Sequence, residues 1–236
     1  MAAVTTERGE RILDAAGELL LAWGHRRVTI DEIARRAKVG KGTVYLHWKT
    51  KDTLLLAVVL RAKVRSQRAQ LERMRTGPRE VLLSRMLRVA YLDFSADPVL
   101  RALYLDDSDI LGRLNDLAEA EFAELMTEGH RMLRKHLELL RAHGAVRTDI
   151  DVADQQHICM ATLSGFLMTE ALRLDREPAG AEQRAAVLEH TLHAALETPD
   201  AARVMDAAPS VAAEIIALYE HVTELCVGEM QRQLRD

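Results

Sequence analysis

Helix breakers are scarce in this chain: it has 12 glycines and 5 prolines in 236 residues, well under the roughly 12% usual for globular proteins. That shortage excludes a collagen-like rod, a low-complexity protein and the many tight turns of a β-sandwich. Cysteine is nearly absent. Cys159 and Cys226 cannot staple a fold of this size, so a reducing compartment is expected. Long hydrophobic runs are missing too. The longest stretch free of Asp, Glu, Lys, Arg and His is Ile158–Thr169, 12 residues, against about 20 needed to span a bilayer. The apolar run Leu19–Trp23 is too short for a signal peptide, and Glu18 and Arg26 flank it. These absences predict a soluble, cytoplasmic protein with no membrane partner.

What is abundant is alanine and leucine, 34 and 35 residues. With 48% hydrophobic residues, this composition predicts an all-α globular fold. The net charge of −4 hides an asymmetry. Residues 1–65 hold 13 Lys/Arg and 7 Asp/Glu, whereas residues 66–236 hold 19 and 29. A basic front on an acidic body suits a protein whose front alone meets a polyanion, although chance unevenness gives the same count.

Apolar periodicity predicts a first helix over Glu7–Trp23, with Ile12, Ala15, Ala16, Leu19, Leu20 and Trp23 on one face. Gly24 ends it, and His25-Arg26-Arg27 reads as a basic loop. Thr29, with Glu32 three residues on, is a capping box opening a short helix. Lys38-Val39-Gly40 is a tight turn. A third helix covers Lys41–Trp48, and Thr50 caps a fourth that reaches about Arg75, before Gly77-Pro78. Thr29–Lys51 therefore reads as helix-turn-helix geometry inside a three-helix unit. Ile33, Ala34, Ala37, Val39 and Val44 pack the helices together. Gly40, Gly42 and Thr43 keep the outer surface slim. Lys41, Tyr45, His47, Lys49 and Lys51 supply donors and cations. The spacing alone also fits a charged surface hairpin with no ligand.

The runs R-I-L-D-A-A-G-E-L-L-L-A-W-G-H-R-R-V-T-I-D-E-I-A-R-R-A (11–37) and V-G-K-G-T-V-Y-L-H-W-K-T-K-D-T-L-L (39–55) resemble the TetR family of bacterial transcriptional repressors. The resemblance covers residues 8 to about 60. It implies a DNA-binding domain over residues 1–53, with its helix-turn-helix motif at 29–48, and a helical effector-binding and dimerisation domain over 54–236. It implies that Lys41, Gly42, Thr43 and Tyr45 touch DNA, and that His47 contacts DNA or shapes the helix end. Thr29 and Lys51 would hold phosphates. Three departures stand out. Lys38 occupies a turn position where the family often has Gly, and a left-handed backbone there costs roughly 1 kcal/mol. Gly40 replaces a common Ser or Thr cap. Trp48 replaces a smaller or Phe side chain and reads as core.

Beyond Pro78 further helices are expected over about Arg79–Ser95, Asp97–Tyr104, Leu111–His143, Asp151–Asp175, Ala181–Leu196 and Pro209–Leu234, with an acidic break at Asp106–Asp109. Asp151–Asp175 is apolar nearly all round, which implies burial on two sides. The resemblance makes it and Ala181–Leu196 the homodimer interface, with Leu163 and Leu167 near the partner; a central core helix in a monomer is the alternative. The family's implied function is a repressor released from a palindromic operator by a small molecule; the alternative is a dimeric DNA-binding protein without an effector. A pocket between the fourth helix and Asp151–Asp175 is expected. Tyr91, Phe94, Tyr104, Phe122, Met126, Met160 and Phe166 would surround a mostly apolar ligand, and His130 and His157 would be its polar handles; the same aromatics also suit plain core. No catalytic constellation or cofactor motif is present, so no enzyme is expected. His190 and His193 lack a third ligand, and the Asp107-x-Asp109 start of a calcium loop has Leu111 and Ala118 where acids are required, so no metal site is expected.

Overall fold

The structure is a computed structural model that describes residues 7–105, 107–172 and 180–234. It is all-helical, as the composition implied. The helices are α1 (Glu7–Arg27), α2 (Ile30–Arg36), α3 (Lys41–His47), α4 (Lys51–Met74), α5 (Leu83–Ala96), α6 (Pro98–Tyr104), α7 (Ser108–Leu111), α8 (Leu114–Glu121), α9 (Ala123–Ala142), α10 (Val152–Ala171), α11 (Ala181–Leu196), α12 (Ala201–Ala207) and α13 (Pro209–Gln233). A 3-10 turn covers Pro78–Val81. Among the described residues the nearest thing to a strand is one isolated bridge between Val146 and Glu197. None of these helices is long and apolar enough to cross a membrane.

The chain forms two compact units. The first comprises residues 1–65, 97–125 and 224–236; the second comprises 66–96 and 126–223. In the first, α1 supplies the spine: Ile12, Leu13, Ala16, Leu19 and Leu20 are buried, and α2, α6 and α7 pack on it. Trp23, expected on the inner face, is 36% exposed. In the second, α5 lies against α11, and α10 touches both. Tyr91, Leu137, Leu140, Leu163, Leu167, Leu188 and Leu192 are buried there. Leu163 and Leu167, expected near a partner subunit, are core residues of the second unit. The outward face of α10 carries Ala161, Gly165 and Met168 instead.

Several boundaries differ from the sequence reading. The expected helix Leu111–His143 is two helices, α8 and α9, and its first residue ends the short α7. Gly112 (φ 54°) turns the chain between α7 and α8, and Asp107 caps α7 by accepting from the amides of Asp109 and Ile110. Asp106, part of the expected break, lies outside the described residues. So does Asp175, the expected end of α10. The helix-starting residues Asp200 and Pro209 frame α12, a short helix that the reading passed over. The first helix does not stop at Trp23: it kinks at Gly24 and regains a helical turn to Arg27. His25 is therefore not part of an exposed basic loop but is buried.

Candidate nucleic-acid interface

The helix-turn-helix unit is assembled by local signals. Thr29 has extended backbone and its Oγ1 accepts from the Glu32 amide at 3.3 Å, capping α2. The return half of the expected capping box is missing, because the Glu32 carboxylate takes the Arg35 guanidinium instead. Between α2 and α3, Lys38 is the one described non-glycine residue with positive φ, 55°. The left-handed turn read from the family pattern is thus made by a lysine. The Val39 amide bonds the Ala34 carbonyl at 2.9 Å and closes it. Gly40 caps α3 without a side chain, and its carbonyl accepts from the Thr43 amide at 2.9 Å.

Val44 and Trp48 anchor α3 from beneath, both fully buried. Trp48 is core, and its Nε1 is buried without a hydrogen-bond partner. The His47 ring, half-buried, sits 5.4 Å from that of Trp48. Fixing those positions turns Lys41, Gly42, Tyr45 and Leu46 outward, all exposed, with Thr43 half-buried. Lys41 Nζ pairs with Asp31 Oδ2 at 2.9 Å, and this hydrogen bond raises the lysine's pKa. Both partners are exposed, so the pair is weak and exchangeable. Thr50 Oγ1 accepts from the Thr53 amide at 3.1 Å, capping α4 as expected. Lys51 Nζ donates to the His25 carbonyl at 2.8 Å, which ties its ammonium to the α1 exit.

That exit holds residues the sequence reading missed. The His25 Nε2 lies 2.8 Å from Asp52 Oδ1, and Arg113 reaches the other carboxylate oxygen at 3.2 Å. Gly24 (φ 70°) stands so close to α7 that a Cβ would meet the Asp109 carbonyl oxygen at 2.4 Å. The partners are far apart in sequence, so only the dense Gly-His-Arg-Arg composition hinted at them.

Residues 12–58 match the family model described as bacterial regulatory proteins, tetR family. That segment is of the tetR type. It lies in the first unit, and Thr29, Lys41, Gly42, Thr43, Tyr45, His47 and Lys51 fall on or beside α2, α3 and the start of α4 within it. The chain is 45% identical over 58 residues to the HTH-type transcriptional regulator SrpR of Pseudomonas putida, a match spanning 25% of this chain and 27% of SrpR. The alignment thus reaches little more than a quarter of that relative's length. Among solved structures, the SmeT–triclosan complex has a TM-score of 0.63 at 24% identity, covering 83% of this chain and 94% of SmeT. FadR of Bacillus subtilis in complex with stearoyl-CoA has a TM-score of 0.58 at 18% identity, covering 78% and 96%. At these identities the likeness is one of fold.

The residues expected to line a pocket are divided between the units. Tyr104 (half-buried) and Phe122 (buried) belong to the first. In the second, Tyr91 and Phe166 meet edge to face with centroids 6.3 Å apart, and Arg184 Nε donates to the Tyr91 hydroxyl at 2.8 Å. Phe94 is half-buried in the same unit. His130, His157 and Met160 share a groove of about 630 Å³ with Thr127, Arg131, Arg134 and Gln156. Met126 is exposed one turn from His130, whose Nδ1 approaches the Met126 carbonyl at 2.8 Å. His190 and His193 border a separate cleft of 360 Å³ beside the buried Glu197, which accepts from the Ser84 amide and hydroxyl. Among the described residues no group of three or more His, Cys, Asp or Glu is arranged to hold a metal ion.

Proposed function

We propose that the chain is a transcriptional repressor that binds a pseudo-palindromic operator as a homodimer and is released by a small molecule. Residues 1–53 act as the DNA-binding domain and 54–236 as the effector-binding and dimerisation body. The observation that carries the DNA reading is α3: a helix locked from beneath by Val44 and Trp48 presents Lys41, Gly42 and Tyr45 outward. Thr29 and Lys51 flank it as phosphate-holding residues, with Thr43 and His47 on the same helix. The dimer reading rests on the exposed apolar positions Met168, Leu172 and Val187, on and next to α10 and α11. The effector reading draws on the SmeT and FadR complexes with small molecules. For this chain its candidate lining in the second unit is Tyr91, Phe94, Met126, Met160 and Phe166, with His130 and His157 as polar handles; Tyr104 and Phe122 belong to the first unit. The effector must bind the DNA-incompetent state more tightly, or it shifts nothing.

The test is selection of bound sequences from random duplex DNA, followed by a compound screen for release. A palindrome with half-sites about 34–36 Å apart, or somewhat further, is expected. Lys51→Ala should weaken operator and random DNA alike and lower the salt slope by about one phosphate per protomer. Lys41→Ala and Tyr45→Ala should cost more on the operator than on random DNA. Unchanged operator affinity in all three folded variants would refute α3 as the recognition helix. A DNA-binding dimer that no compound releases would instead be a DNA-binding protein without an effector.

A further inference from the structure

The recognition helix exposes an apolar residue that neither the packing nor the family resemblance accounts for. Leu46 is 70% exposed, more than any other exposed large hydrophobic side chain among the described residues. Four residues before it, on the same face of α3, stands Gly42. A Cβ added to Gly42 would find nothing within 4 Å, and its φ is not positive. Neither crowding nor backbone conformation therefore asks for glycine there. A bare stretch of helix backbone beside an uncovered leucine is a slot for a small apolar group that approaches closely.

The surroundings restrict what that group belongs to. Lys38, Lys41 and Lys49 are all exposed around the same short segment, a setting that favours a polyanion over an apolar protein partner. On the floor of the DNA major groove the apolar group offered by a base pair is the 5-methyl of thymine. We infer that Leu46, together with the bare backbone of Gly42, reads the 5-methyl group of one thymine in each half-site. This rests on the DNA-binding reading above and adds a specificity determinant to it. Lys41 and Tyr45 would supply polar contacts, and Leu46 would distinguish thymine from cytosine where no hydrogen bond does.

The experiment uses the full-length protein and the duplex obtained by selection. Each thymine of a half-site is replaced in turn by uracil, which removes only the methyl. For wild type, one position per half-site should weaken binding about fourfold, the effect of burying one methyl group, and about fifteenfold with both half-sites substituted. Leu46→Ala should bind the thymine duplex weakly and be indifferent to uracil at that position, while keeping wild-type affinity and salt slope on random DNA. Gly42→Ala should melt no lower than wild type, since its methyl meets open space, yet lose the thymine preference. Uracil tolerated at every position, or a thymine-to-uracil ratio unchanged in Leu46→Ala, would overturn the inference while leaving DNA binding intact. Failure to select any duplex would overturn the DNA-binding reading, and this inference with it. Wild-type DNA binding by Leu46→Ala with loss of a protein partner would overturn it in favour of a protein contact.

Discussion

His136 should make the second unit acid-labile. It lies on α9 and is fully buried. Its Nε2 is 2.8 Å from the Val81 carbonyl oxygen and its Nδ1 is 3.1 Å from the Tyr219 hydroxyl. A carbonyl only accepts, so a neutral ring carries its proton on Nε2 and leaves Nδ1 as an acceptor facing the Tyr219 hydroxyl, whose other acceptor is Met86 Sδ at 2.7 Å. Burial disfavours the imidazolium and pushes the pKa from 6.5 down to about 4, against a smaller upward pull from the Val81 carbonyl. Burial also raises the Tyr219 hydroxyl above its ordinary value, so that donor stays protonated. The unfolded chain takes up the proton near pH 6.5 and the folded chain near 4. The contribution is thus complete above pH 6.5 and is lost as pH falls towards 4. The full loss is about 3.4 kcal/mol, of which about 2 kcal/mol has gone by pH 5. The assay is urea unfolding of wild type and His136→Gln between pH 8 and pH 5. The difference in unfolding free energy between the two should change by about 2 kcal/mol over that range, on top of any pH-independent cost of the substitution. Proton NMR of the imidazole gives a second measurement that does not depend on the variant folding. Parallel pH profiles for the two proteins, or a His136 resonance titrating near pH 6.5, would refute the reasoning.

Four further outcomes test the packing. Gly24→Ala puts a methyl 2.4 Å from the Asp109 carbonyl oxygen on a φ of 70°, and should cost at least about 2 kcal/mol; an unchanged melting temperature would contradict the close approach. Trp48→Ala should cost about 3–5 kcal/mol, whereas Trp48→Phe removes a buried, unpartnered N–H and should cost under about 1.5 kcal/mol in urea unfolding. Lys38→Gly relieves the left-handed backbone and should stabilise by up to about 1 kcal/mol, while a β-branched Lys38→Val should destabilise; equal melting of the three proteins would count against strain at this turn. Met168→Asp should sediment as a folded monomer, because its side chain is exposed, whereas Leu163→Asp should lose helical circular dichroism, because Leu163 is core.

The first three helices were readable because the signals that make them are local. Thr29, Lys38, Gly40 and Thr50 each act on backbone within a few residues, and a cap or a left-handed turn needs no distant partner. The same holds for α6 and α11, whose starts at Pro98 and Ala181 matched expectation. The failures fall where a distant residue decides. Gly112 looked like one more residue in a long helix, yet it turns the chain where a Cβ would lie 3.4 Å from the His25 ring, 87 positions earlier in order of numbering. His25 looked like part of an exposed basic loop because its partner Asp52 is 27 residues away. Leu163 and Leu167 show a different limit. A helix that is apolar on every side does not say which of its residues the core of its own chain takes, since the same hydrophobic driving force acts on all of them. His136 makes the complementary point. It shares the inward side of α9 with the buried Leu133, Leu137 and Leu140, but that stripe says only which side faces inward. That it meets a carbonyl 55 residues before it and a hydroxyl 83 residues after it is what allows a polar ring to lie there, and what makes its protonation costly.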